Sequence, residues 1–190
     1  MSVAFSFFPP HLSTQLVTSW LSQCFRVPWL RLFLHKFSNP YMPLANLFKN
    51  CVYYWGFAAV VGFPLVHSSY QAPGRIQVFL GLSLWLVSQL TNFAVHYQLA
   101  NMRDGDGDNK RDLPRGPLFS VVTSPNYTAE FFGWVGWSAL SNIFMGYAFT
   151  LGGFIQMADW AAKKYQGYKK SGEDGEKYAK SRKRIIPFLF

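Results

Sequence analysis

Charge is the scarcest ingredient of this sequence. Aspartate, glutamate, lysine and arginine supply 14% of its 190 residues, against about 25% in ordinary soluble domains. Cysteine occurs only as Cys24 and Cys51, not in a CxxC pair, so neither a disulfide framework nor a zinc site follows. A GxGxxG turn following a strand is missing, which leaves a Rossmann cofactor site unsupported. The opening MSVAFSFFPP has no positive region ahead of its apolar stretch and does not read as a cleavable signal peptide.

What is present is apolar and aromatic: half of the residues are hydrophobic and 19% are Phe, Trp or Tyr. The mean hydropathy of +0.06 looks too low for a membrane protein, but it averages over a sharp segregation. Residues 51–100 and 117–162 are strongly apolar, while 101–116 and 163–184 hold most of the charge. A soluble domain intersperses the two. The net charge of +9 is equally uneven, with nine bases and three acids from Lys163 onward. Basic clusters directly after apolar segments are the ordinary positive-inside signal of membrane proteins, so this tail is read that way and not as a nucleic-acid surface.

Residues 1–30 are apolar and broken by Pro9, Pro10 and Pro28, and residues 31–50 mix cations with aromatics as an interfacial segment does. A first span is expected over 50–67, a second over 76–98, and the loop between them turns at Pro73-Gly74. Lys36 and Lys49 precede the first span, four bases (Arg103, Lys110, Arg111, Arg115) follow the second, and nine close the chain. Placing all three groups on the cytosolic side requires an even number of crossings between 117 and 162. Two tilted or short helices are expected there, roughly 129–145 and 147–165, with a break near Asn142 to Gly146. The fold class is therefore an all-α membrane bundle of at least four spans with a cytosolic C-terminus.

Polar side chains inside such spans are candidate functional groups. Gln89, Asn92 and His96 occur near the end of the second span, and Arg103 lies eleven residues beyond Asn92, close to three turns. If the helix runs on to 103, these residues form one stripe, which reads equally as helix packing or as a path for a phosphate-bearing ligand. A second constellation is Ser124-Pro125-Asn126-Tyr127-Thr128-Ala129-Glu130. Ser124 and Pro125 form a helix-start pattern, which puts Tyr127 in a first turn whose dipole favours developing negative charge. A phenol there is a proton-donor candidate; an interfacial tyrosine beside a capping segment is the equal alternative. Two motifs are set aside. The Asn126-Tyr127-Thr128 sequon falls on the cytosolic side. The Asp104, Asp106, Asp108 run lacks the Gly and Glu of a calcium loop at Asn109 and Arg115, and no metal site is expected.

These pieces resemble the steroid 5-alpha-reductase superfamily and, within it, the trans-2-enoyl-CoA reductases of very-long-chain fatty acid elongation. The resemblance rests on LHKFSNPYMPLANLFKNCVYYWGFAA, QLTNFAVHYQLANMR, SPNYTAEFFGW, GFIQMADWAAKKYQGY and SRKRIIPFLF, in order from about residue 32 to the C-terminus. It implies a helical bundle in the endoplasmic reticulum membrane with NADPH in a cytosol-facing cavity, a long-chain trans-2-enoyl-CoA as substrate, the lipid bilayer as surroundings and other elongation enzymes as neighbours. Carried over by position, Asn92, Arg103, Asn126, Glu130, Tyr168 and Arg182 would contact the cofactor and Tyr127 would donate the proton; Gln89 and His96, from the polar stripe of the second span, are further candidates for the polar cavity. Two positions depart from the enoyl-reductase pattern: Ser124, where a Cys is common, and Tyr165, where a His is common. Residues 31–190 match a C-terminal reductase domain and residues 1–30 do not. A shortened chain is thus the expectation, without the family's N-terminal ubiquitin-like domain and additional helices. A steroid or polyprenol reductase, or a non-catalytic membrane paralogue, is the alternative reading.

Overall fold

A computed structural model describes residues 44–102 and 113–187. Among the described residues five α-helices follow one another: α1 Leu44–Val66, α2 Arg75–Asn101, α3 Pro125–Ser141, α4 Phe144–Lys169 and α5 Glu173–Lys180, with one 3-10 turn at Leu118–Ser120. The all-helical class is as the sequence indicates. The helix bounds differ in instructive ways. α1 begins six residues before the expected span, because the interfacial residues before Cys51 continue the same helix. α3 begins at Pro125, where proline's fixed φ and missing N–H suit a first turn. The expected break is found at Asn142, which adopts the left-handed conformation (φ 51°) and donates its N–H to Ser138 O. Much of the charged tail is helical, since α4 runs to Lys169 and α5 follows.

α2 and α3 form the most extensive helix pair. They run antiparallel and approach closely through small residues. A Cβ on Gly81 would lie 2.9 Å from Gly136 O, and one on Gly136 would lie 2.7 Å from Trp85 N. Buried Ser88 and Asn92 continue the α2 face, and Ala129 and Gly133 continue that of α3. Small residues that let backbones approach are how helices associate where lipid removes the hydrophobic drive.

α3 and α4 are joined by buried hydroxyls. Ser138 Oγ and Thr150 Oγ1 are 2.8 Å apart, and Thr150 also donates to Gly146 O at 3.0 Å. The aromatic core sits beside them: Trp134, Trp137 and Phe149 pack with Leu140, Ile143 and, from α1, Val61 and Leu65. Phe57 and Phe149 meet edge to face at 4.8 Å. The end of the bundle that holds the α2–α3 connection's far side is tied by Tyr70 O–H to Ser141 O at 2.8 Å and Gln77 Nε2 to Ala139 O at 2.9 Å.

Apolar side chains also face outward. Phe79, Leu86, Val87, Leu90 and Phe93 on α2 and Leu151 and Ile155 on α4 are exposed among the described residues. One described helix, α2, is long and apolar enough to cross a membrane, and only 22% of its most apolar stretch is buried. The other helices fall short for separate reasons. The charge-free run of α1 is confined to Cys51–Val66. α3 has 17 residues, about 25 Å at 1.5 Å per residue. α4 carries Asp159, Lys163 and Lys164.

Candidate active site

The site is built where the chain's last segment returns to the start of α3. Residues beyond α5 lie parallel to those before α3: Lys183 N donates to Val121 O, Thr123 N to Lys183 O at 2.8 Å and Ser124 N to Arg184 O at 3.1 Å. Thr128 O–H donates to Ile185 O at 2.6 Å, pinning that strand to the first turn of α3. Ile185 is fully buried, with Met157 and Ala161 of α4, and Tyr127 and Phe131 pack against this cluster.

Antiparallel packing brings the C-terminal part of α2, the N-terminal turn of α3 and the C-terminal part of α4 to one end of the bundle. Residue 81 of α2 meets 136 and 140 of α3, and 85 meets 136. At equal rise along both helices, the same register sets Asn92 level with residues 125–129 and His96 close to the Ser124–Pro125 start.

Three polar groups at this end are buried with unsatisfied oxygens. Ser124 is 0%, Asn92 2% and Asn126 7% exposed. Ser124 Oγ, Asn92 Oδ1 and Asn126 Oδ1 have no hydrogen-bond partner among the described residues. Ser124 therefore starts α3 without capping it through its hydroxyl; its carbonyl instead accepts from Tyr127 N at 3.0 Å and Thr128 N at 3.3 Å. A buried polar atom left unpaired costs stability, which makes these three oxygens candidates for holding a bound group.

Tyr127 is half-buried beside them, its ring 6.1 Å from that of Trp160, with Lys164 Nζ 5.6 Å from its centroid. Glu130 lies one turn further along α3 and is also half-buried. Gln89 and His96 are half-buried on α2. Tyr168 meets Tyr178 edge to face at 5.1 Å.

Arg182 is engaged by the fold. Its Nε donates to Phe119 O at 2.6 Å, Nη1 donates to Tyr178 O at 2.9 Å and Ser181 Oγ at 2.7 Å, and the guanidinium sits 4.0 Å over the Tyr178 ring. Arg184 sits over the ring of Tyr165 at 5.1 Å, which gives the departing tyrosine a partner. α2 ends at Asn101 with Met102 as its C-cap. The stripe through Asn92 and His96 thus stops short of Arg103, which lies outside the described residues. Two open apolar grooves are present, one along Ile76, Leu80 and Leu84 with Ala139, the other along Phe48, Val52 and Phe57 with Met145. Neither is lined by Tyr127.

Several contributors carried no sequence signal of function. Ser124 reads as a cap, and Tyr178 and Thr128 read as ordinary helix residues. The two-strand contact between residues 121–124 and 183–184 is too short for any periodicity. The Ile-Pro-Phe ending was the one visible hint that the last residues matter.

The chain is similar to several known proteins. The very-long-chain enoyl-CoA reductase of Dictyostelium discoideum is 45% identical over 158 residues, 83% of this chain and 52% of that protein. A Trypanosoma brucei brucei protein bearing an enoyl-CoA reductase name is 42% identical over the same shares. Human 3-oxo-5-alpha-steroid 4-dehydrogenase 1 is 37% identical over 111 residues, 58% of this chain and 41% of that protein. The chain spans about half the length of the enoyl-CoA reductase relatives it matches. The family model described as 3-oxo-5-alpha-steroid 4-dehydrogenase matches residues 40–190, and the chain belongs to that family.

Proposed function

We propose that this chain carries the membrane-embedded reductase half of an NADPH-dependent trans-2-enoyl-CoA reductase, acting in very-long-chain fatty acid elongation at the endoplasmic reticulum. Residues 31–190 are its reductase domain, a bundle of at least four spans whose cofactor cavity opens to the cytosol, where the C-terminus also lies. The observation that carries this reading is that Asn126, next to Tyr127 at the start of α3, and Asn92, on the facing helix α2, each bury a side-chain oxygen without a hydrogen-bond partner among the described residues. The extent of similarity to enoyl-CoA reductases favours the substrate class: 83% of the chain, against 58% for the steroid enzyme.

The residues present fit a nicotinamide cofactor. Asn92 and Asn126 offer buried acceptor oxygens to a carboxamide, with Glu130 one turn on. Lys164, Arg182, Lys183 and Arg184 supply cations for phosphates at the same end, together with Arg103, and Tyr168 adds an aromatic face. His96 and Gln89 complete the polar lining. NADPH, when bound, supplies hydride to the β-carbon of the substrate.

Conjugate reduction also needs a proton at the α-carbon, and negative charge builds on the thioester oxygen between the two events. Hydrogen-bond donors aimed at that oxygen stabilise the charge. Tyr127 is the donor on α3, able to bond the enolate oxygen or protonate carbon directly or through water. Its position in the first turn favours a developing anion, and its packing against the Met157, Ala161 and Ile185 cluster shields part of the ring from bulk water.

The test is turnover by purified protein supplied with NADPH and either a long-chain trans-2-enoyl-CoA or a steroid enone. The account predicts oxidation of NADPH with the enoyl-CoA. Turnover of the steroid alone moves the assignment to the family's steroid branch. Absence of both turnover and cofactor binding makes the chain a non-catalytic paralogue.

A further inference from the structure

Two neighbouring lysines on α4 have different surroundings. Lys163 is exposed, and its Nζ pairs with Asp159 Oδ2 at 2.6 Å. Lys164 is half-buried, and its Nζ lies 5.6 Å from the centroid of the Tyr127 ring. Helix spacing accounts for the difference. Met157, Trp160, Ala161 and Lys164 stand at i, i+3, i+4 and i+7, which is one face of α4. Tyr127 packs against the Met157, Ala161 and Ile185 cluster, and its ring is 6.1 Å from that of Trp160. The face that holds the Tyr127 ring therefore carries an ammonium one turn beyond Trp160. It lies within the roughly 6 Å at which a cation is drawn to an aromatic face.

The other charged and titratable groups near Tyr127 stand differently. Glu130 is one turn along α3, on the same helix as Tyr127. His96 of α2 is set near the level of the α3 start by the helix register. Arg184, next to Ile185, has its guanidinium 5.1 Å over the ring of Tyr165. Among the described residues, Lys164 is the cation over the Tyr127 ring.

A cation in this place does not treat the two states of the phenol alike. A neutral ring attracts it through its quadrupole, whereas a phenolate presents a full negative charge. When the electron pair of the enolate takes the phenol proton, a C–H bond forms at the α-carbon. The O–H bond breaks, and its electron pair stays on Tyr127 as phenolate. An ammonium over the ring stabilises that product of the transfer more than it stabilises the starting phenol.

We propose that Lys164 promotes proton donation by Tyr127, its ammonium offsetting the negative charge left on the ring. The proposal rests on Tyr127 as the proton donor. It makes Lys164 a positioning residue, acting through Tyr127 and not on the substrate.

The test is single-turnover reduction of a long-chain trans-2-enoyl-CoA by the full chain at saturating NADPH, followed as a function of pH. Lys164→Met keeps the length of the side chain and removes its charge. It should lower the rate about tenfold at neutral pH, the scale of a partly desolvated cation over a ring. The alkaline limb, where the donor loses its proton before the reaction, should move to higher pH. Lys164→Arg keeps a cation and should restore most of both. In a Tyr127→Phe background, Lys164→Met should slow the reaction no further, because no phenolate forms. A lysine that only holds a cofactor phosphate would instead weaken NADPH binding on substitution and leave the saturated rate and the alkaline limb unmoved; that result overturns the proposal. Further slowing in the Tyr127→Phe background, or equal losses in Lys164→Met and Lys164→Arg, overturns it as well and leaves Tyr127 as the donor. A Tyr127→Phe rate close to that of the parent overturns the Tyr127 reading and this proposal with it.

Discussion

Tyr178 shows how single residues here answer to burial more than to sequence type. It lies on the short charged helix α5, where the pattern EDGEKYAK reads as solvated, yet it is 7% exposed and its hydroxyl has no partner among the described residues. Burial pushes its phenol up to about 12, against a smaller opposing pull from Arg182. A folded-state value above the ordinary 10 means that folding favours the neutral phenol. The stability this contributes is whole below about pH 10 and is lost as pH rises through about 12. Tyr178→Phe should flatten that alkaline loss in thermal melts of the detergent-solubilised protein and should not lower the melting temperature at pH 7. An unchanged alkaline profile in the variant would show that Tyr178 is not a contributor. Arg182 is a similar case. The sequence marks it as a cation beside a signature ending, but only the structure reveals that two backbone carbonyls and an aromatic face already hold it.

Helices were legible where composition is extreme, and their ends were legible where a residue has one conformational use. The second span was evident from its charge-free run, and the Ser124–Pro125 start and the Asn142 break follow from proline's fixed φ and asparagine's tolerance of the left-handed region. The close approach of α2 and α3 was not legible, because Gly81 and Gly136 look like any glycines in an apolar segment until their partners are known. Gly136→Val tests that interface. Its Cβ would meet Trp85 backbone nitrogen and Gly81 oxygen, neither of which can rotate away. A cost of about 1–3 kcal/mol or more is expected for such overpacking, read as a lower unfolding midpoint. Gly152→Val serves as the control, since nothing lies near that position and only the intrinsic helix preference changes. Equal midpoints for the two variants would mean that α2 and α3 do not touch as described.

At the scale of the whole molecule, the unpartnered oxygens of Asn92, Ser124 and Asn126 lie toward the end of the bundle where α3 starts, and apolar side chains are exposed along α1, α2 and α4. The proposed topology puts the basic segments after α2 and after α4 on one side of the membrane. Single cysteines at Lys110 and Lys170, in a background without Cys24 and Cys51, should both react with an impermeant reagent from the cytosolic face of sealed microsomes. Lumenal reactivity at both positions would invert the topology and remove the cofactor from its supply. The candidate site divides in the same way as the helices. Asn92 and Glu130 could be picked out because amides and acids are rare in apolar segments, and Asn126 and Tyr127 because Ser124-Pro125 marks a helix start just before them. The return of residues 182–185 to the start of α3 depends on a chain reversal after α4, at Gly172 and beyond, that no local pattern announces.

The central claim is that Tyr127 delivers the proton, and its most direct test is single-turnover reduction of a long-chain trans-2-enoyl-CoA by the Tyr127→Phe variant preloaded with NADPH. Only the hydroxyl is removed, and the ring keeps its packing against the Met157, Ala161 and Ile185 cluster. The account predicts a rate lower by about a hundredfold or more, the scale of general acid catalysis, with NADPH affinity nearly unchanged. A single-turnover rate close to that of the parent would contradict it and pass the role of proton donor to another group or to water.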